Sequence, residues 1–448
     1  MKKLIKPKYI IITIVILLAL SATAYAATIL FQANEVGYDN SNTGFLDSND
    51  QPVEDVQTAL DELYNKASTC SIRNICPSGY KKIEGSNGEY SCILKKSPKA
   101  YIENLNTEGE TISTTDHYDE LRFIGSNPSN YVTFNNQTWR IIGIFEGRLK
   151  LISPSIGEYA YDTSAYSVNN GYGVNAWEDS DLMKLLNPGY DNNEGYKCKG
   201  TTGSTGCLNN NISDFDEILV NNSLYWNASE GYCYSGSSYT AKACDFRNNG
   251  LNDDDSKAMI DDATWYLGSN EKSESLWGEN QIMTASYLYN MERGSYTGKQ
   301  CLNSKYCSDE VTRNEPPVWT GKVGLLYPSD YAYATSGSLT GTGTDRTTCL
   351  SKQVGEVNLD TTPNWSNAYT DCFDNNWLFT GTRVFAISPT SSSSNATSVF
   401  RITQQGVISS YNAFSGVNVR PVVYLKPEVT ITRGDGTQIK PFELSYES

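Results

Sequence analysis

The sequence predicts an α+β fold of antiparallel strands with several short helices and disulfide-stapled insertions, and three observations predict it. Strands alternate with tight turns in "YVTF–NNQ–TWRIIGIF–EGR–LKLIS" over 131–153, the pattern of an antiparallel meander. Short capped helical stretches follow without the strands that βαβ units need, and the chain returns to strands in "SVFRI" (398–402), "VIS" (407–409) and "NVRPVVYL" (418–425). There are eleven cysteines, and the last eight form four close pairs inside Gly-, Ser-, Asn- and Lys-rich segments.

From the N-terminus, Lys2, Lys3, Lys6 and Lys8 precede a run without formal charge from Tyr9 to Asn34. Residues 1–28 therefore read as a signal peptide or a membrane anchor. Ala24-Tyr25-Ala26 fits a cleavage site, whereas Ile29-Leu30-Phe31 extends the apolar run and favours anchoring through residues 9–31. Both readings leave the body extracellular or at the cell surface, where the cysteines would be oxidised.

Residues 29–68 place Val56, Leu60 and Leu63 on one stripe of a short helix. The "YDN…G" turn and Val56-Gln57, Ala59 and Leu60-Asp61-Glu62-Leu63 resemble the stalk units of phage tail fibres and similar trimeric surface proteins. That resemblance implies a homo-trimer formed through the stalk. Residues 69–96 form a small cysteine module containing Cys70, Cys76 and Cys92, and the polar run over 93–125, with Lys95, Lys96, Pro98 and a Thr/Ser stretch, places a linker at 97–129.

The head begins at 130. In 137–145, Trp139, Ile141 and Gly143 face one way and Arg140, Ile142 and Ile144 the other, so both faces are apolar and the hairpin is expected to be central. Helices are expected in "SDLMKLLNPG" (180–189), "SDFDEILV" (213–220), "DDSKAMIDDATWYLG" (254–268) and "ENQIMTASYLYNMERG" (279–294). In "KVGLLYPSDYAYATS" (322–336) a strand at Val323–Leu326 runs into a helix opened by Pro328. Residues 428–448 read as a C-terminal tail.

The chemistry-bearing residues are sparse. A net charge of −16 excludes nucleic acid as a natural partner, and confines membrane contact to the N-terminal segment. The one histidine, His117, lies in polar "STTDHYDEL" and reads as an exposed loop residue. Asp253, Asp254 and Asp255 lack EF-hand spacing and read as a helix start. Glu315, Asp374 and Asn375 read as ordinary loop residues rather than calcium ligands. No catalytic residue, metal ligand or cofactor is indicated.

The order of motifs resembles the formylglycine-generating-enzyme and C-type-lectin-like superfamily over about 130–427. Tyr327-Pro328-Ser329 and Tyr331-Ala332-Tyr333-Ala334 look like its capped helix. Trp377-Leu378-Phe379 looks like its tryptophan strand, and Ala386-Ile387-Ser388-Pro389 like its small-residue turn. Val399-Phe400-Arg401, Gly406 and Gly416-Val417-Asn418-Val419-Arg420-Pro421 look like its final hairpin and strand. The resemblance implies a C-type-lectin-like fold. The superfamily's oxidase chemistry uses a cysteine pair that Cys349 and Cys372 do not match in position, so it is not carried over.

An exported cell-surface protein is therefore expected, binding a glycan or a surface-protein ligand without catalysis. The alternatives are a secreted carbohydrate-active enzyme and a structural, oligomeric envelope component. The expected contacts lie on the final hairpin, at Asn395, Arg401, Tyr411, Asn412 and Phe414, where loop aromatics add contact area at low entropic cost. Arg383 and Trp377 rank second.

Non-reducing peptide mapping should return the pairs Cys76–Cys92, Cys198–Cys207, Cys233–Cys244, Cys301–Cys307 and Cys349–Cys372, leaving Cys70 free or intermolecular. Such loops each contribute roughly 2–4 kcal/mol when unstrained. A cross-pair such as Cys207 with Cys301 would contradict the local scheme.

Overall fold

The structure, a computed structural model, describes residues 97–162, 175–187, 250–268, 283–294, 317–355, 363–391, 398–413 and 415–446, together with the backbone of 80–84, 90–94, 232–234, 241–243 and 270–271. The chain divides into two compact units, Met1–Lys95 and Lys96–Ser448. In the first, β1 (Tyr80–Glu84) and β2 (Tyr90–Leu94) pair antiparallel, with Lys82 opposite Cys92. The expected signal or anchor segment, the stalk helix, Cys70 and Cys76 lie outside the described residues. Among the described residues no helix is long and apolar enough to cross a membrane.

The second unit opens with α1 (Pro98–Glu103), where the Ser97 side chain accepts from the Ala100 amide and Pro98 presets the first turn. The meander follows: β3 (Ile112–Ser113), β4 (Leu121–Phe123), β5 (Tyr131–Phe134), β6 (Gln137–Phe145), β7 (Arg148–Ile152) and β8 (Glu158–Tyr159). The middle holds α2 (Asp181–Leu186), a hairpin of β9 (Tyr232–Tyr234) and β10 (Ala241–Ala243), α3 (Asp254–Met259), β11 (Ala263–Tyr266), β12 (Asn270–Glu271) and α4 (Ala285–Glu292). Ser180 caps α2 and Thr284 caps α4, each accepting an amide N–H on its hydroxyl. Then come β13 (Val318–Gly321), β14 (Val323–Gly324), α5 (Pro328–Tyr333), α6 (Arg346–Ser351) and α7 (Asp371–Asp374). The chain closes with β15 (Val384–Ser391), β16 (Ser398–Ile402), β17 (Ile408–Asn412), β18 (Val417–Asn418), β19 (Val422–Tyr424), β20 (Thr430–Arg433) and β21 (Glu443–Ser445).

Two sheets organise this unit. One runs β14-β19-β7-β6-β4-β3, with β5 on β6; the other runs β17-β16-β15-β18-β8, with β12 parallel to β15. The fold is mixed, with mostly antiparallel strands and few, short helices. The expected closure of terminal strand on meander is present: Val423 of β19 lies opposite Leu151 of β7, and β6 is central. Trp139, Ile141, Leu151, Trp265, Val423 and Tyr327 are buried in one shared core.

Several expectations are corrected. Residues 97–129 are not a linker. They supply α1, β3 and β4, and bury Ile102, Ile112, Leu121 and Phe123. Lys95, Lys96, Pro98 and a Thr/Ser run gave the polar reading, yet the segment also carries these apolar side chains, and its Asp116 is held by a two-pronged bond from Arg346 at 2.7 Å. Residues 428–448 are not a loose tail. β20 and β21 pair, and Phe442 is buried, donating its amide to the Tyr131 carbonyl at 2.8 Å.

The stretch 254–268 is helical only to Met259. Beyond it Ala263 and Trp265 alternate inward along β11, and that period-two burial outweighs the helical spacing of Met259, Ala263 and Tyr266. Trp377 lies in a turn rather than a strand, because its indole is buried and bonds the Phe123 carbonyl at 2.8 Å. Ala386–Pro389 lies within β15 rather than in a turn. The strand expected at Val323–Leu326 is paired only at Val323–Gly324, and the helix expected at 213–220 lies outside the described residues.

Cys349–Cys372 is formed, tying α6 to α7 with both residues buried. It is the one disulfide among the described residues. Cys198, Cys207, Cys244, Cys301 and Cys307 lie outside them, and Cys92 and Cys233 are described by backbone alone.

Candidate functional site

Cross-strand pairing aligns Arg122 of β4, Gly143 of β6, Lys150 of β7 and Tyr424 of β19 in one row. Directly paired residues share a face of a sheet, so two cations flank a glycine. The absent side chain matters, because a Cβ on Gly143 would come within 2.1 Å of the Leu121 carbonyl oxygen. Arg122 and Lys150 are both buried, and buried charges require partners.

The partner is Asp330, third residue of α5 and also buried. One carboxylate oxygen accepts from Lys150 Nζ at 2.5 Å and from the Tyr327 amide at 2.9 Å; the other accepts from Arg122 Nη1 at 3.3 Å. The bond to Tyr327 caps the helix while the bonds to the cations join it to the sheet. Arg122 is completed by Glu120, whose Oε2 accepts from Nε at 3.1 Å and Nη2 at 2.7 Å.

A second acid extends the cluster. Glu292 at the end of α4 accepts the Ser329 amide at 2.8 Å and the Ser329 hydroxyl, locking α4 to the start of α5. Arg293 follows at once. Its guanidinium lies 3.7 Å from the Tyr289 ring centre, and His117 stacks on that ring at 3.5 Å and 10°. Two groups that close must take opposite faces, so Tyr289 is held between His117 and Arg293. The Tyr289 hydroxyl donates to Glu120 at 2.9 Å. His117, expected on an exposed loop, is instead half-buried, and meets Tyr333 edge-on at 5.1 Å.

Above this cluster opens a cleft of about 110 Å³, whose walls include Glu120, Arg148, Tyr266, Tyr289, Arg293 and Tyr424. Arg148 lies 5.1 Å from the Tyr424 ring centre and bonds Glu146, and Asp261 at 3.2 Å. Burial brings the Lys150 ammonium down to about 8 against the pull of Asp330. Burial works to raise Asp330, yet Lys150 and Arg122 hold it below its ordinary value. Burial pushes Glu292 up to about 7, although Arg293 and Ser329 oppose it. Burial likewise lowers His117 and raises Tyr289 to about 12.

A wider, open groove includes Asn135, Asn136 and Asp253–Asp255. Asp253 accepts from the Ser256 amide at 2.9 Å and hydroxyl at 2.6 Å, so it caps α3. Among the described residues no group of three or more His, Cys, Asp or Glu side chains is placed to hold a metal ion. Glu315 lies outside them, and Asn375 bonds the Asp371 carbonyl at the end of α7.

The hairpin residues separate. Arg401 of β16 lies 3.5 Å over the ring of Tyr411 of β17, and Arg383 is 6.0 Å from that ring. Tyr411 and Asn412 belong to β17 rather than to a loop, and as neighbours in one strand they face opposite sides. Asn395 and Phe414 lie outside the described residues, and Trp377 is buried.

Sequence reasoning missed the cluster itself. Its readable signals were Lys150 inside the apolar run "LKLI", Gly143 inside "RIIGIF", and the Tyr-Pro-Ser-Asp helix start. Compared with known proteins, the chain matches no protein-family model, no curated protein and no solved structure.

Glu292 should give stability a distinctive pH dependence. The folded state keeps its proton between the ordinary value of 4.5 and about 7, where the unfolded chain has released it. Its contribution therefore falls as pH rises through that window and is flat above it. The Tm difference between wild type and Glu292→Gln should shift against the wild type from pH 5 to pH 8. A difference that is constant over this range would contradict the assignment.

Proposed function

We propose that the chain is an exported cell-surface protein whose C-type-lectin-like head binds a glycan or a surface-protein ligand in the cleft beside α4, without converting it. The observation that carries this reading is the held Tyr289–Arg293 pair. Stacking against Tyr289 and the bond from Nη1 to Glu292 at 3.1 Å position the guanidinium, while the tyrosines of the walls offer ring faces and hydroxyls. A pre-positioned site loses little side-chain entropy on binding. The carboxylates nearby are engaged by arginines, Glu120 by Arg122 and Glu146 by Arg148, which suits holding a ligand more than transferring a proton.

Export is supported by the Lys-flanked apolar run at 9–31 and the cysteine count. The C-type-lectin-like assignment rests on the ordered motifs, together with the pairing of β19 on β7 that brings the chain end back to the meander.

A glycan array probed with the full chain should give hits that Tyr266→Ala weakens by about tenfold, the scale of one aromatic contact, with the Tm unchanged. Tyr411→Ala should bind as wild type. The reverse pattern would move the site to the final hairpin, and turnover of a bound glycan would replace binding by catalysis.

A further inference from the structure

We infer that the cleft seats an acidic sugar, its carboxylate held by the guanidinium of Arg293. The inference rests on the binding reading above and names its ligand class. Three arginines meet around this cluster, and their hydrogen bonds differ. Arg122 spends Nε, Nη1 and Nη2 on Glu120 and Asp330. Arg148 spends Nη1 and Nη2 on Asp261 and Glu146. Arg293 spends Nη1 alone, on Glu292. Its Nε and Nη2 make no hydrogen bond among the described residues, and the side chain, 15% exposed, lines the cleft. Those two N–H groups form the side-on fork that matches a carboxylate through two parallel hydrogen bonds.

The fork is fixed before any ligand arrives. Tyr289 carries the guanidinium on one face and is backed by His117 on the other, and the rings of Tyr327 and Tyr266 lie 5.2 and 5.5 Å from the guanidinium carbon. The positive charge is also incompletely spent. Its one ion pair among the described residues is with Glu292, through Nη1, so the edge carrying Nε and Nη2 is not committed to a carboxylate. The other charges around the site, on Glu120, Arg122, Lys150 and Asp330, are consumed by one another.

The rest of the wall selects a sugar over the carboxyl end of a peptide. The hydroxyls of Thr264, Tyr266 and Tyr424 and the carboxylate of Glu146 suit ring hydroxyls. The volume, about 110 Å³, is small beside the roughly 300–1,000 Å³ of drug-sized sites, so the cleft takes the carboxylate and the adjoining edge of one terminal sugar, with the rest of the ring outside. The net charge of −16 slows the approach of an anion, so affinity must come from contact at the fork rather than from steering.

Titration calorimetry on the full, unmodified chain would compare D-glucuronate, D-galacturonate and N-acetylneuraminate with their methyl esters, with D-glucose and with the peptide Gly-Gly-Ala. At least one acid should bind about tenfold tighter than its ester, the scale of a charge-assisted bond pair, and tighter than the peptide. Arg293→Lys, which keeps the charge and loses the fork, should erase that preference with the Tm within a few degrees. Acid and ester binding alike, both weakened by Tyr266→Ala, would overturn this inference and leave the binding reading intact. Peptide binding as tight as the sugar acids would overturn the sugar class. No binding by any sugar would overturn the inference here, and an empty glycan array alongside it would sink the glycan arm of the binding reading and leave the surface-protein arm.

Discussion

One buried carboxylate, Asp330, holds the head together. It receives three donors from three places: Lys150 on β7, Arg122 on β4 and the backbone of Tyr327 at the start of α5. Each of these charges would cost several kcal/mol to bury alone. They are tolerable only in one arrangement, so the sheet row through Gly143 and the placing of α5 constrain each other. The aromatic rings around Lys150, with Tyr327 nearest at 4.3 Å, keep water from relaxing that demand. Replacing such a cluster with apolar residues is often neutral for stability, so its worth here is better sought in specificity of arrangement.

The cleft follows from that arrangement. Asp330 sets α5; Ser329 beside it binds Glu292; Glu292 ends α4; α4 carries Tyr289, and Arg293 follows it directly. Tyr289 returns to the sheet by donating to Glu120, which also completes Arg122. The path from the core cluster to the cleft wall is thus a closed circuit of hydrogen bonds, and every step of it is buried or half-buried. A binding surface built on such a frame needs little reorganisation, and that is the physical link from fold to the proposed function.

Much of this architecture was legible in the sequence, and the reasons for the rest are particular. Alternation over 131–153 reveals the meander because its strands are long enough to show a period. Ser180 and Thr284 mark helix starts because capping is local chemistry. β3, β4, β20 and β21 run two to four residues, too short for periodicity to speak, so polar composition dominated and their segments read as linker and tail. The cleft draws Glu120, Arg148, Tyr266, Tyr289 and Tyr424 from five distant segments, which no spacing rule joins. Tyr411 read as a loop aromatic because serines surround it, whereas pairing to β16 draws it into the sheet beneath Arg401.

A double-mutant cycle on the central pair tests this account most directly. Urea unfolding would be followed for Lys150→Met, Asp330→Leu and the two combined. The account predicts that each single change costs about 3–5 kcal/mol, because it breaks a buried charge pair, and that the double change costs far less than the sum. Additivity within about 0.5 kcal/mol would show that Lys150 and Asp330 act independently, and would contradict the claim that their pairing organises the head.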